Sequence, residues 1–430
     1  MAVETDQIKP LQRERKRFAR LAGSLGLLLL LLFLIWSAGR AGFARLLTFY
    51  AARANELAAA NAAVTLSPRD PDAHYIRAAI LEANDDFPAA LTEYTQAVKL
   101  RPDDYVLWLG LAHAREINGN TQGAVDAAGR AVQLAPYYAK PHWHLGNILV
   151  RTGQREEGFK ELRRAAESDP NLWPGIIDLA WQLSAGDVKS VKQAIQPQSA
   201  ESYKALGEYF KKRVEVAEAI AMFGSAGSDV EVLREREQYI NELISAKRFK
   251  DAYELWSIGR GLSSSNALGA IVDPGFEEES NLDEPGFGWR ASNPAPSLTL
   301  SLDNSNPLEG RSSLRVDFNG ESNPNAPIIS QLVLLEPKTR YQLRLNFRTA
   351  DLVSGGLPNV VIVDPSDNKV LGQTRALPQT TDGRRETKID FTTGETTTAI
   401  QIALQREPCS KPQCPIFGRL WLDGFELGKL

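Results

Sequence analysis

The sequence predicts a multidomain protein with one N-terminal transmembrane helix, an α-helical solenoid of repeats and a C-terminal antiparallel β-sandwich. Three observations predict this architecture. Residues 21–39 carry no charge and include an unbroken run of leucines at 27–32. Helical periodicity follows, punctuated by prolines that recur every 34 residues. Beyond residue 271 the period becomes two, as in strands with one face buried and one face in water.

The composition is that of a globular chain, and it excludes several classes of protein. The 430 residues are 43% hydrophobic and 24% charged, which rules out wholesale disorder and a polytopic membrane protein. The net charge is −4, so no global field points to nucleic acid. Two cysteines and four histidines leave little for a metal centre, and the sequence has no phosphate loop, H-E-x-x-H or G-x-S-x-G motif. No catalytic residue is predicted, and the chain is predicted not to be an enzyme.

Residues 21–39 are predicted to span a membrane, because nineteen helical residues extend about 28 Å, close to the thickness of the hydrocarbon core. Basic residues are more numerous before this stretch than after it. This asymmetry predicts a cytoplasmic N-terminus (residues 1–20) and an extracytoplasmic remainder, periplasmic or at the cell surface. The basic residues before it are Lys9, Arg13, Arg15, Lys16, Arg17 and Arg20, and those after it are Arg40, Arg45 and Arg53. The alternative is a cleaved signal peptide, with the small residues 37–39 as its site, and both interpretations export the rest of the chain.

The helical repeat is predicted to occupy residues 49–262. Its prolines are Pro68, Pro102, Pro136 and Pro170. Small or apolar residues recur between them at Ala78, Leu81, Ala90, Tyr94 and Ala97, at Trp108, Leu111, Ala112, Gly119, Ala124 and Ala131, and at Leu145, Gly146, Leu149, Gly153, Leu162 and Ala165. This pattern resembles the tetratricopeptide repeat (TPR), a pair of antiparallel helices, with departures at Arg77 and Ala128. The resemblance implies about five to six helix pairs stacked into a superhelix, residues 49–66 supplying a single helix before the first full repeat.

The resemblance to TPR proteins also implies a groove, lined by the first helix of each pair, in which a protein partner binds. Positions four and then three apart share one face of a helix. Carried over residue by residue, the groove residues are Tyr75, Leu109, His113, Trp143, Asn147 and Arg151. The alternative is that Tyr75 and Trp143 only pack against neighbouring helices. His142 and His144 point to different sides of their helix, so no metal is predicted there, and His142 takes the place of a packing aromatic residue.

A boundary is predicted at residues 263–270, a linker, and residues 271–430 are predicted to form the sandwich from eight or nine short period-two segments. Four local patterns resemble, in order, the jelly-roll carbohydrate-binding modules of the family 4, 9 and 22 type. They are DPGFEE from Asp273, EGRSSLRVDF from Glu309, LEPKTRYQLRLNFRTA from Leu335 and GRLWLDGFEL from Gly418. The resemblance implies binding of a polysaccharide through exposed aromatic residues, and a structural calcium ion held by Glu277 and Asp423. Trp289 and Trp421 are the remaining candidates for a sugar platform, and both are assigned to the core.

Cys409 and Cys414 enclose the residues SKPQ, which include a proline that favours a turn. Because the predicted export places them in an oxidising compartment, a local disulfide is expected. A metal or redox role would apply in a reducing cytosol.

These features predict a membrane-anchored, non-catalytic TPR scaffold of the cell envelope. Its repeats bind protein partners and its sandwich binds glycan, in the assembly or export of an exopolysaccharide. The alternative is a purely structural interaction protein whose sandwich contacts protein rather than sugar. No nucleic acid and no cofactor other than structural calcium is expected.

Overall fold

The computed structural model describes residues 8–430 apart from 261, 263–266, 279–281, 283–285, 292–297, 322, 325 and 410–413, and it describes side chains from residue 25 onward. The chain divides into two compact units, one that extends to Gln196 and one from Pro197 to Leu430. Residues 263–266 of the predicted linker lie outside the described residues.

The first unit is helical throughout its described part, as the repeat pattern predicts. Its helices are α1 (Ile8–Ala54), α2 (Leu57–Leu66), α3 (Pro71–Ala83), α4 (Phe87–Leu100), α5 (Tyr105–Ile117), α6 (Thr121–Leu134), α7 (Ala139–Arg151), α8 (Arg155–Ser168), a short 3-10 helix (Pro170–Leu172), α9 (Trp173–Leu183) and α10 (Val188–Ile195).

Helix α1 joins the apolar N-terminal segment to the repeats without interruption. Its part from Leu25 to Ala54 reaches a mean hydropathy of 2.0 and is long and apolar enough to cross a membrane. The end of the same helix packs on α2, since Ala51 is fully buried and Leu47 contacts the cluster that contains the alanines of α2. Where the sequence predicts a single helix over 49–66, the structure therefore has a helix pair. The uninterrupted apolar run conceals the first member of that pair in the sequence.

Aspartate and asparagine side chains determine where the helices of the repeats begin. Asp70 and Asp104 each accept a hydrogen bond from the backbone N–H two residues on, at 3.0 Å in both cases. Asp86 and Asn120 accept one from the backbone N–H three residues on, at 3.2 and 3.0 Å. Each cap pairs a backbone donor that the helix itself leaves unsatisfied and contributes about 1 kcal/mol.

A hydrogen bond from an aromatic ring links each of the first helices α3, α5 and α7 to the end of the preceding repeat. The rings lie 34 residues apart, as the prolines do, and each approaches the carbonyl oxygen of the repeat proline. The pairs are His74 Nε2 with Pro68 (3.0 Å), Trp108 Nε1 with Pro102 (2.7 Å) and His142 Nε2 with Pro136 (2.9 Å). Nδ1 of each histidine lies 2.6 Å from a second-helix carboxylate, that of Glu93 or Glu161. His142 is 3% exposed and thus fills the place of the packing aromatic residue.

The Glu93 carboxylate predicts an acid-sensitive contribution to stability. Burial alone would raise its pKa, but hydrogen bonds from Arg77 and His74 outweigh burial and hold the pKa of Glu93 below its ordinary value. A carboxylate whose pKa is lower in the folded than in the unfolded state stabilises the fold at pH values above its unfolded-state pKa, which is about 4.3 for glutamate. This stabilisation is lost as the pH falls through the folded-state pKa. We expect Glu93→Gln to lower the free energy of unfolding at pH 7 and to lose this effect progressively below about pH 4. Urea unfolding at a series of pH values measures the difference in unfolding free energy between the variant and the wild type. Glu157→Gln, at the exposed start of α8, is the control. A difference that does not change with pH would contradict the prediction.

The second unit combines helices with two antiparallel sheets. Its helices are α11 (Ala200–Lys212), α12 (Val216–Ser225), α13 (Val230–Ser245) and α14 (Phe249–Arg260). Its strands are β1 (Arg290–Ala291), β2 (Leu298–Asp303), β3 (Ser313–Glu321), β4 (Ile329–Leu334), β5 (Arg340–Ser354), β6 (Pro358–Asp364), β7 (Lys369–Gln373), β8 (Arg385–Thr392), β9 (Ala399–Arg406) and β10 (Pro415–Lys429). In the described residues one sheet has the order β1-β4-β9-β6-β7 and the other β2-β3-β10-β5-β8.

A single apolar core contains residues of both sheets, among them Leu345 of β5 and Ile402 of β9. The predicted antiparallel sheets are confirmed, and the jelly-roll assignment stays a prediction. Tyr253 and Trp256 of α14 pack on Phe287, with ring centres 4.9 and 5.8 Å apart. Helices α11 to α14 thus belong to the same compact unit as the sheets, although their sequence continues the repeat region; the predicted domain boundaries themselves stay predictions.

Candidate functional site

The predicted groove residues all lie on the first helices α3, α5 and α7. Tyr75, Trp143 and Asn147 are half-buried, and His113 and Arg151 are exposed. Leu109 is only 4% exposed, so it supports this face from beneath. The groove assignment stays a prediction, and five of its six residues retain surface that a ligand can contact.

Contacts between acidic and basic side chains connect these first helices across successive repeats. His113 Nε2 of α5 lies 2.9 Å from Glu82 Oε1 of α3. Arg151 of α7 donates from Nε and Nη2 to the two carboxylate oxygens of Glu116 on α5, at 2.8 and 3.0 Å. Acidic and basic groups therefore alternate along one face, an arrangement suited to the charges and hydrogen-bonding groups of a polypeptide.

Two aromatic side chains contribute the flatter parts of this face. The Trp143 ring lies against α9 at Gly175. If this glycine carried a Cβ atom, that atom would lie 3.8 Å from the ring. The Tyr75 ring meets Tyr94 edge to face, with centroids 5.4 Å apart. Burial and then the Glu82 carboxylate raise the pKa of Tyr75, so its hydroxyl stays protonated and can donate a hydrogen bond.

Sequence reasoning missed two features near this face. Burial, followed by the positive charges of Lys140, His113 and Arg151, lowers the pKa of His144, which places a neutral imidazole among the groove charges. Tyr137 and Tyr138 are 87% and 60% exposed where α6 joins α7. The sequence carries a signal for the exposed tyrosines: two tyrosines follow a repeat proline directly, where a solvated turn is expected.

The two predicted calcium ligands lie in hydrogen-bonded positions. Asp423, fully buried on β10, accepts hydrogen bonds from the Ser313 hydroxyl (2.6 Å), the Glu309 backbone N–H (2.9 Å) and the Gly424 backbone N–H (2.7 Å). Glu277 accepts from the backbone N–H of Arg311 at 2.8 Å and from its guanidinium at 3.2 Å. Over the described residues no three histidine, cysteine or acidic side chains converge to hold a metal ion. As arranged, Asp423 fastens β10 to the loop before β3, and Glu277 fastens its own segment to the same loop. The calcium site stays a prediction.

The two tryptophans have different surroundings. Trp289 is 4% exposed and stacks on Phe276 with ring centres 5.1 Å apart, as a core residue does. Trp421 is 6% exposed, but it is not part of the core cluster that contains its strand neighbours Leu420 and Leu422. Its ring is buried, as predicted, but it lies on the opposite face of β10 from that cluster. The reason is strand alternation, which turns residue 421 away from its neighbours 420 and 422.

The two cysteines are placed as a pair. Their Cα atoms lie 6.0 Å apart, a separation that a disulfide allows. Arg406, 1% exposed, donates a hydrogen bond to the carbonyl of Cys414 at 2.8 Å. The enclosed residues 410–413 lie outside the described residues, and the disulfide stays a prediction.

Comparison with known proteins identifies the repeats. Residues 71–114 and 139–172 match two models described as tetratricopeptide repeat. The chain contains tetratricopeptide repeats.

The TPR segment is 27% identical over 118 residues to the small glutamine-rich tetratricopeptide repeat-containing protein 2 of Mycosarcoma maydis, covering 27% of this chain and 34% of that protein. It is 29% identical over 104 residues to the peroxisomal targeting signal receptor of Candida albicans, covering 23% of this chain and 18% of the receptor. The chain thus spans about a third or less of the length of these curated relatives.

Solved structures also resemble this chain at low identity. MamA (41-end) from Desulfovibrio magneticus RS-1 is 18% identical, covers 36% of this chain and 92% of its own, and has a TM-score of 0.32. The Pseudomonas aeruginosa protein pilF is 16% identical, covers 43% of this chain and 88% of its own, and has a TM-score of 0.33.

Proposed function

We propose that this chain is a membrane-anchored, non-catalytic scaffold of the cell envelope that captures a protein partner on the face of α3, α5 and α7. The observation that carries the proposal is that the Glu82–His113 contact, the Glu116–Arg151 ion pair and Tyr75 lie on the first helices of successive TPR repeats. Such pairs hold charged groups in place before a ligand arrives, which lowers the entropic cost of binding. A relative named as a targeting signal receptor supports a polypeptide as the partner.

The scaffold role extends to the C-terminal sheets, which we propose bind a polysaccharide during its assembly or export. The resemblance of four strand patterns to carbohydrate-binding modules supports this half of the proposal. The competing function is a protein interaction module in which the sheets contact protein only. Binding of a polysaccharide by the full chain distinguishes the two.

Trp143 provides the test of the groove. We expect Trp143→Ala to weaken binding of the partner about tenfold, because aromatic residues at the centre of an interface carry much of its binding energy. A photocrosslinking amino acid at position 113 first captures the partner from membranes, and the same group at the exposed position 133 of α6 is the control. Partner affinity and helical unfolding of Trp143→Ala are then measured, with Gln133→Ala as the matched variant. A loss of about 3 to 5 kcal/mol in unfolding free energy, typical of a truncated core aromatic residue, would show that Trp143 only packs.

The orientation of the membrane helix rests on the excess of basic residues before residues 21–39. We expect a cysteine introduced at Ser280 to react with a membrane-impermeant reagent on intact cells, and one introduced at Thr5 to be protected. The experiment uses a background in which Cys409 and Cys414 are serine, so that only the introduced thiol reports. Labelling at 5 with protection at 280 would reverse the proposed topology, and loss of residue 5 from the mature chain would identify a cleaved signal peptide.

A further inference from the structure

The outer face of the sheet β2-β3-β10-β5-β8 carries a group of residues that the proposed function leaves unassigned. Along β10, Ile416, Leu420 and Leu422 belong to the core. Phe417, Arg419 and Trp421 alternate with them and therefore occupy the opposite face. The strand register places Trp421 opposite Arg315 of β3 and Arg348 of β5. Three neighbouring strands thus bring three arginines to one indole ring.

The arginines surround this ring closely. The guanidinium carbon of Arg348 lies 4.2 Å from the ring centre of Trp421, and those of Arg315 and Arg419 each lie 5.8 Å from it. The ring is fixed in place because its Nε1–H donates to Asp303 Oδ2 at 2.7 Å. Cation–π attraction stabilises each arginine over the indole, but three like charges at one ring also repel one another.

Nearby carboxylates neutralise this charge only in part. Asp317 pairs with Arg315 at 2.7 Å, and Asp303 accepts from Trp421 and from Ser305, so these two carboxylates lie beside three guanidinium groups. Arg348 donates to a backbone oxygen, that of Asn306, at 3.0 Å. Arg419 is exposed, and the Arg315 side chain is 34% exposed. The arrangement therefore offers guanidinium donors to an incoming anion, and carboxylates match their planar geometry.

An exposed aromatic side chain continues the same face. Phe417 is 49% exposed, and Val353, opposite it on β5, is 61% exposed. From Phe417 to Trp421 the strand extends about 13 Å, a length that suits an extended polymer better than a single small anion. The remaining exposed residues of this face on β2 are the hydroxyl residues Thr299 and Ser301. Phe417 and Val353 together form a smaller apolar area than the centre of a protein interface usually has. One aromatic ring, however, is enough for a sugar ring to stack on.

We propose that this face binds a polysaccharide that bears carboxylate groups, as polymers of uronic acids do. A sugar ring stacks on Phe417, and the carboxylates pair with Arg315, Arg348 and Arg419. The inference rests on the proposed function and narrows its polysaccharide half to acidic polymers. Phe417 was missed in the sequence, although the alternation in IFGRLWL places it with Arg419 and Trp421 on one face.

The test measures binding of the full chain in detergent to immobilised polygalacturonate. We expect Arg419→Gln and Phe417→Ala each to raise the dissociation constant about tenfold, and the triple variant with glutamine at 315, 348 and 419 to raise it about a hundredfold. Raising NaCl from about 50 to about 500 mM should weaken binding by the wild-type chain, because exposed charges are screened. Arg375→Gln, an exposed arginine on the segment after β7, is the matched control and should bind within about twofold of wild type. Because Phe417 and Arg419 are exposed, both single variants are expected to fold, and their melting curves verify this.

Dextran, a neutral polysaccharide, and polyglutamate, an acidic polypeptide, separate the alternatives. Selective binding to polygalacturonate supports the proposal. Equal binding to dextran would show that the arginines do not select the ligand. Equal binding to polyglutamate would assign the face to acidic protein segments. Binding to none of the three polymers would leave the face without a ligand of this class. Each of these three results overturns the proposal. Crosslinking at position 113 is independent of these residues, so failure here leaves the protein-capture half of the proposed function standing.

Discussion

Gly146→Val is expected to lower the free energy of unfolding of the helical repeats by about 3 kcal/mol, the upper end of the usual cost of overpacking. Helices α7 and α8 cross at this glycine. A Cβ atom at position 146 would lie 2.8 Å from Leu162 Cγ and 2.9 Å from the backbone oxygen of Gly158. A side-chain atom can rotate away, but the backbone oxygen moves only if the two helices separate. Valine would therefore open the contact that each helix pair needs.

Urea unfolding of the full chain in detergent, followed by the helical circular dichroism signal, measures this effect. Gly129→Ala on α6 is the matched control, because a Cβ atom at 129 meets no atom within 4 Å. There, alanine should stabilise the helix by roughly 0.5 to 1 kcal/mol, since glycine loses more backbone entropy on folding. If Gly146→Val unfolds like the wild type, α7 and α8 do not cross as closely as described.

Asp423→Ala is expected to lower the free energy of unfolding of the second unit by about 3 kcal/mol. The change removes the acceptor of the buried Ser313 hydroxyl and of the part-buried Glu309 backbone N–H. Each such orphaned donor costs about 1 to 3 kcal/mol. Burial also raises the pKa of Asp423, which shows how strongly this carboxylate is removed from water.

Differential scanning calorimetry of the full chain in detergent measures the effect as a lower melting temperature. Glu426→Ala, exposed on the same strand, is the control and should leave the melting temperature nearly unchanged.

The same assay tests the calcium ligands predicted from the resemblance. If the predicted calcium site is present, a chelator lowers the wild-type melting temperature, added calcium restores it, and Glu277→Gln abolishes the drop. An unchanged melting temperature would contradict the calcium ligands.

Local pattern was sufficient to predict much of the fold. The 34-residue spacing of the prolines predicts the repeat, and three of the four repeat prolines accept a hydrogen bond from the ring six residues on, at positions 74, 108 and 142. The period of two marks the strands. The uncharged run at 21–39 predicts a helix long enough to cross a membrane, and the structure contains it within α1. Each of these features depends on residues close together in the chain, which is why one sequence is enough to read them.

The candidate sites depend on contacts that no local pattern contains. The Glu82–His113 and Glu116–Arg151 pairs join residues 31 and 35 positions apart, and they form only when successive repeats stack. Arg315, Arg348 and Trp421 come from three strands, and their meeting depends on the register between β3, β5 and β10. Alternation along β10 is legible in the sequence, but the side of the strand that faces the core is decided by the sheet packed against it. For this protein the sequence determined the helices, the strands and their periodicity, because these follow from neighbours along the chain. The tertiary structure alone decided which charges and rings share a surface, because strand register and repeat stacking are set by packing between distant segments.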